Sequence, residues 1–261
     1  MAAAGRPLTA SGWDRAGYEG CAAFLRMIAA GVPSSSLIEQ EGLLALLSPA
    51  SPERSLFNSV LYEDPRRLES AYLDLASSYE DAGVRAWTVW APESDRRTLA
   101  LLESRGHAYD GAPRMMSLDL DSFEPPEPAC EVIRDFGWER LAGLNDAAYG
   151  YDEGTHRTAV GDLPPPGSAV FGARWEGEDA TGLLTIDAGS DCSVMLVATH
   201  PRARGKRLAS SVLAAALGDG RERGLRSSSL QASAKGAGLY ARLGYEDLGA
   251  VTLQERRAPA P

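Results

Sequence analysis

The stretch MLVATHPRARGKRLASSVLAAAL, Met195 to Leu217, decides the fold. Pro201 halts an apolar run, a knot of Arg, Lys and Gly follows, and helical spacing takes over. Ser193 to Thr199 reads as a buried strand. Leu208, Val212, Leu213, Ala216 and Leu217 recur three and four apart, which predicts a helix over Leu208–Arg223 with Gly224 in the helix-ending position. The densest positive charge in the chain therefore falls where a strand hands over to a helix. The first amides of a helix have no partners inside it, and the positive end of the dipole lies there too, so the turn is an anion site. Gly205 would let the backbone approach a phosphate, and Arg202, Arg204, Lys206 and Arg207 would add charge. A diphosphate is the natural guest. Two nucleotide loops are excluded: position 200 is His where the Walker pattern needs Gly, and the other glycines of the dinucleotide pattern are missing.

Composition restricts the remaining readings. The chain has 261 residues, 44% of them hydrophobic, enough for one large domain or two of ordinary size. Its formal net charge is -10, and its 26 basic residues include only the lysines Lys206 and Lys235, so a broad basic face for nucleic acid is not expected. Cys21, Cys130 and Cys192 are scattered, with no CxxC pair and no nearby His at ligand spacing. They read as small core residues, and neither a disulfide framework nor a metal site is expected. No apolar run reaches the roughly 20 residues needed to span a bilayer, and CAAFLRMIAAGV, from Cys21, is interrupted by Arg26 and too far in for a signal peptide. A cytoplasmic protein without membrane partners is expected.

Proline marks the best boundary, in DSFEPPEPACE from Asp121 to Glu131. The ends of the two parts it separates look alike. The first reads as a strand at Trp87–Trp90, a helix over Asp95–Ser104 and a strand at Arg114–Leu118, and the second follows the same order. Leu101, Gly106 and Gly111 fall on Leu239, Gly244 and Gly249 at one constant offset, the mark of a duplicated domain. In the second part, Trp138–Tyr149 has helical spacing, and Ala169–Trp175 and Thr181–Ile186 read as neighbouring strands. The fold class is therefore α/β (α+β), mixed strands with helices between them.

VATHPRARGKRLASSVL resembles the acetyl-coenzyme A signature of the GNAT acetyltransferases, in which a strand ends in His-Pro, an Arg-Gly turn follows and a helix starts at a small residue. Arg204 and Ala209 match the ends of the family's pattern, and Arg207 stands where the family has its inner Gly. SAKGAGLYARLGYEDLG, from Ser233, resembles the family's next helix and strand, with Tyr240 four residues before Gly244-Tyr245; Ser233 replaces the family's frequent Asn. The resemblance covers Glu131 to about Arg256. It implies two tandem GNAT-like domains, each a mixed twisted sheet flanked by helices: 1–124 degenerate and without the coenzyme loop, 125–261 binding acetyl-CoA. Main-chain groups of Val197 and Thr199, with Ser233 nearby, would hold the pantetheine arm, and Arg204 through Leu208, Ala209 and Ser210 the diphosphate.

The implied chemistry is attack of a primary amine on the thioester, through a tetrahedral oxyanion, with expulsion of a thiolate. A phenol can protonate the departing sulfur, so Tyr240 is the candidate acid. YGYDEGTHR, Tyr149 to Arg157, concentrates Asp152, Glu153 and His156 where the family builds its acceptor site, and these are the candidate substrate-binding residues. His200 belongs to the His-Pro turn and is expected to be structural. In the first half Glu63-Asp64-Pro65 occupies the place of the basic turn, and its acid would repel a diphosphate. One coenzyme site per chain is expected, with a small-molecule or peptide amine as acceptor and a homodimer compatible with the sequence. The second reading is an acyl-CoA-binding sensor or scaffold without catalysis, suggested by Arg207 and Ser233.

Overall fold

The computed structural model describes residues 7–161 and 167–259. In chain order these form α1 (Arg15–Gly31), β1 (Ser36–Gln40), β2 (Leu43–Leu47), β3 (Ser59–Tyr62), α2 (Pro65–Asp81), β4 (Ala86–Pro92), α3 (Arg96–Ser104), β5 (Ala108–Gly111) and β6 (Arg114–Asp119). Then follow β7 (Ile133–Arg134), α4 (Trp138–Tyr149), α5 (Thr155–Val160), β8 (Ser168–Trp175), β9 (Glu178–Ala188), β10 (Asp191–Thr199), α6 (Leu208–Glu222), β11 (Ser227–Ala232), α7 (Ala237–Arg242) and β12 (Glu246–Arg257). Local chemistry sets the helix starts in the first half. Asp14, Asp64 and Asp95 cap α1, α2 and α3 by accepting the amides of Gly17, Arg66 and Thr98, and Pro65 fills the first position of α2.

All strands belong to one 12-stranded sheet in the order β1-β2-β3-β4-β12-β6-β11-β10-β9-β8-β7, with β5 paired to β12. The only parallel pairs among the described residues are β3 with β4 and β10 with β11, each joined by a crossover helix, α2 and α6. The sheet is continuous across residues 124 and 125 because strands are exchanged at its centre. β6, from the first half, lies between β11 and the start of β12, while Val251–Arg257 of β12 lie along β4 and also meet β5.

Three large apolar clusters cover the sheet, besides a small one at Ala180, Ala203 and Leu208. One belongs to the first half, where Leu68, Tyr72 and Leu75 of α2 meet Val89 and Ala91 of β4. A second joins Val212, Leu213 and Leu217 of α6 to Leu118, Phe171 and Leu230. The third ties the halves together: Leu25 and Ile28 of α1 share it with Leu46 of β2 and with Phe136, Trp138 and Leu141 around α4. Cys21 and Cys192 are buried as expected, but Cys130 is only half-buried, in a polar stretch beside Ser211.

Candidate active site

The site begins as a defect in a strand. β10 runs antiparallel to β9, but its register slips between Met195 and Ala198, and Leu196 takes a left-handed φ of 52°. On its other side β10 pairs with β11 only through Asp191–Ser193 and Ser227–Ser229. Beyond Ser193 the two strands part. Among the described residues Leu196 and Val197 therefore have no ladder partner on either side, and α4 holds their carbonyls: Asn145 Nδ2 donates to Leu196 O at 3.1 Å and the Tyr149 hydroxyl to Val197 O at 3.5 Å. Thr199 rejoins the ladder opposite Thr181, and the hydroxyls of the two lie 2.9 Å apart.

The turn after β10 is fixed at both ends and open in the middle. The His200 amide donates to Ala180 O at 2.8 Å and its Nδ1 accepts from the Arg202 amide at 3.4 Å, which anchors the start of the turn. Pro201–Ala203 form one 3-10 turn, and buried Ala203 and Leu208 pack against Ala180. Between these anchors Gly205 (φ 77°) has open space where a Cβ would lie, and Arg207 (φ 61°) precedes α6. Among the described residues no side chain caps α6, which leaves its first amides, from Leu208, Ala209 and Ser210, to face the turn. The basic side chains spread round it. Arg204 donates to Ala148 O at 3.0 Å and Thr199 O at 3.4 Å, Lys206 Nζ sits 4.6 Å above the Trp175 ring, and Arg207 reaches Glu127 O at 3.4 Å. Arg202 turns toward Glu178 at 3.7 Å.

Tyr240 is buried on α7, its ring meeting that of Tyr245 edge-on at 5.8 Å. The Tyr245 hydroxyl donates to Ser228 Oγ at 2.7 Å, and Ser228 donates to Cys192 O at 2.6 Å, which ties this ring to the parallel strands. The Tyr240 hydroxyl has no hydrogen-bond partner among the described residues. Burial, reinforced by the neighbouring Tyr149 phenol, pushes its pKa well above the ordinary tyrosine value, so it carries its proton at neutral pH. Ser233 is exposed and serves α7 instead: its Oγ accepts the Gly236 amide at 3.2 Å.

The candidate acceptor residues divide. Asp152 and Glu153 are exposed, and their side chains have no partner among the described residues. His156 is not a free binding group, which corrects the expectation from sequence. It is buried, with Nδ1 2.7 Å from Asp146 Oδ1, and the same carboxylate accepts the amides of Gly154 and His156. Burial lowers its pKa despite Asp146, so the ring is neutral and braces α5. The structure adds residues that sequence reasoning missed. Tyr149 and Asn145 hold the bulge, and from the first half Phe57 meets the His156 ring edge-on at 5.8 Å while Arg54 lies 4.4 Å over the Tyr151 ring. The only sequence signal for Tyr149 is its place beside the acidic pair, where charge drew the attention. Among the described residues no His, Cys, Asp and Glu cluster could hold a metal ion, and no helix is long and apolar enough to cross a membrane.

The acetyltransferase (GNAT) domain family matches this chain at residues 192–247, from β10 to the start of β12. No curated protein matches the chain in sequence. Solved structures match nearly its whole length at low identity. A GCN5-related N-acetyltransferase from Kribbella flavida is 17% identical, with 93% of this chain and 96% of that one covered at a TM-score of 0.67. A tandem GNAT protein from the clavulanic acid biosynthesis pathway is 14% identical, with 93% and 96% covered at 0.58. A GCN5-related N-acetyltransferase from Sphaerobacter thermophilus is 16% identical, with 87% and 84% covered at 0.56. The chain thus has the fold of these acetyltransferases along almost all of its length and is similar to the GNAT domain family in sequence from β10 to the start of β12.

Proposed function

We propose that the chain is an acetyl-CoA-dependent N-acetyltransferase acting on a primary amine of a small molecule or peptide, with one coenzyme site per chain. The observation that carries this reading is the continuity of the bulged, parted end of β10 with an uncapped α6 across a glycine turn. Acetyl-CoA would supply the activated acyl group. The open edge at Val197 suits an amide-bearing arm, the α6 amides and Arg204 suit a diphosphate, and Tyr240 has a proton to give to a departing thiolate. Asp152 and Glu153 are the acids available to attract a cationic amine. The tandem arrangement, 1–124 and 125–261, belongs to the same proposal. In the first half Asp64 occupies the start of α2 with its own carboxylate, 2.9 Å from the Arg66 amide, so the place corresponding to the diphosphate site already holds an anion.

Calorimetric titration with acetyl-CoA tests the proposal, with Arg204→Glu as control. Binding near one per chain, lost in the control, is expected; a stoichiometry near two would restore a site to the first half, and no binding would remove the coenzyme altogether. The second reading, an acyl-CoA sensor without catalysis, is favoured by Arg207 in a left-handed position of the turn. Binding without acyl transfer to any amine in a broad screen would select it.

A further inference from the structure

A second concave site lies between the C-terminal part of α2 and the end of β12, and so at the far end of that helix from the Asp64-Pro65 turn. It is a groove of about 730 Å³, within the size range of small-molecule sites. Its floor is aromatic: Tyr79 and Trp87 stack at 4.7 Å and 16°, and Tyr72 lies 5.9 Å from Trp87, all three buried. The side chain of Leu73, 64% exposed, extends the apolar surface to the rim.

Two guanidiniums converge on Tyr72. Arg105 Cζ stands 5.3 Å from the ring centroid, and Arg256 Nη1 donates to the phenol oxygen at 3.4 Å. The direction of that bond is set from below. Buried His107 gives its Nδ1 proton to Gln254 O at 2.7 Å, so its Nε2 accepts the Tyr72 proton at 3.0 Å and the phenol oxygen is left as an acceptor. Neither Arg105 nor Arg256 has a carboxylate partner among the described residues, whereas their neighbours Arg85 and Arg257 pair with Glu53 at 2.5 Å and Glu255 at 2.6 Å. The one carboxylate lining the groove, Glu80, pairs with none of them. In a chain with 36 acidic residues and 26 basic ones, two cations without a carboxylate partner among the described residues, one over the Tyr72 ring and one at its hydroxyl, form a positive site on a negative molecule.

We propose that this groove binds a small organic oxyanion: a planar apolar body against Tyr79 and Trp87, with its carboxylate or phosphate between Arg105 and Arg256. Charge and shape complement such a ligand together, since each arginine keeps most of its five N–H donors unused, Arg256 giving up one to the Tyr72 oxygen. This site is separate from the turn between β10 and α6, and it requires no acetyl transfer.

Phenyl phosphate is the probe, titrated calorimetrically into the full chain, with inorganic phosphate beside it. One equivalent of phenyl phosphate is expected to bind, inorganic phosphate to bind about tenfold more weakly, and Arg105→Gln and Arg256→Gln each to weaken phenyl phosphate about tenfold, as loss of a charge-assisted pair requires. Arg204→Glu should leave this binding intact. Absence of binding overturns the proposal, as does binding insensitive to Arg105→Gln, an exposed position whose change spares the fold. Loss of binding in Arg204→Glu would move the anion to the other turn, and equal affinity for inorganic phosphate would remove the role of the aromatic floor.

Discussion

Arg207 sits at φ 61°, a conformation that glycine adopts freely and that other L-residues adopt at a cost of about 1–2 kcal/mol. Its side chain recovers little, reaching only Glu127 O at 3.4 Å. Arg207→Gly should therefore raise the free energy of unfolding by about 1 kcal/mol, and Arg207→Val, β-branched in the same position, should lower it by about 1–3 kcal/mol, both read from urea midpoints. Coincident midpoints would mean that the turn does not hold this residue left-handed. Tyr240 permits a cleaner kinetic test. Because its hydroxyl has no partner among the described residues, Tyr240→Phe orphans no buried group and should leave stability unchanged. Turnover should fall at least about tenfold with coenzyme affinity preserved, the size expected for loss of a general acid. The raised pKa sets the sign of the pH dependence: the phenol stays protonated past its ordinary value near 10, so this group causes no alkaline loss of activity below that pH. Unchanged turnover in the variant would remove the acid role.

The elements meet through small residues chosen for contact. Gly20 brings α1 onto β10: a Cβ there would overlap Ser193 Oγ and come within 2.7 Å of Ser193 Cβ. Ser193 Oγ is itself buried without a partner among the described residues, a cost of about 1–3 kcal/mol. Gly20→Ala should destabilise by about 1–3 kcal/mol through overpacking, while Ser193→Ala should be neutral or stabilising, and urea midpoints of the two variants should move apart. A neutral Gly20→Ala would mean that α1 lifts from the sheet without penalty. This contact was illegible in the sequence, where the α1 segment stood out only as an apolar run too short for a bilayer. Its partners lie more than 160 residues away along the chain, and periodicity carries no information about distant strands. By contrast α4 and α6 were legible almost to the residue, because each buries one face and shows it as spacing, and the turn between β10 and α6 was legible because charge and glycine concentrate there. His156 misled for a related reason. A titratable side chain in an acidic loop reads as exposed, and the carboxylate that buries it, Asp146, belongs to the preceding helix.

At the scale of the whole molecule, the order strand, helix, strand was legible both in Trp87–Leu118 and from Arg226 onward, but the pairing of β6 with β11 and of β12 with β4 was not, because strand patterning does not name a partner. Its consequence is mutual dependence. Residues 125–261 by themselves lack β6, whose Met116 and Leu118 pack in the same cluster as Leu213 and Leu230, and without it the edge of β11 keeps unpaired amides and carbonyls. They also leave Val251–Arg257 of β12 without β4. Residues 125–261 produced alone should therefore yield no folded monomer. Co-produced with 1–124, they should co-purify in equal amounts and melt in one cooperative transition, followed by light scattering and circular dichroism. A folded, acetyl-CoA-binding monomer of 125–261 would show that the second half is self-sufficient. The exchanged strands would then be an embellishment of two independent domains, and the contacts of Phe57 and Arg54 with the acceptor loop would be dispensable to its fold.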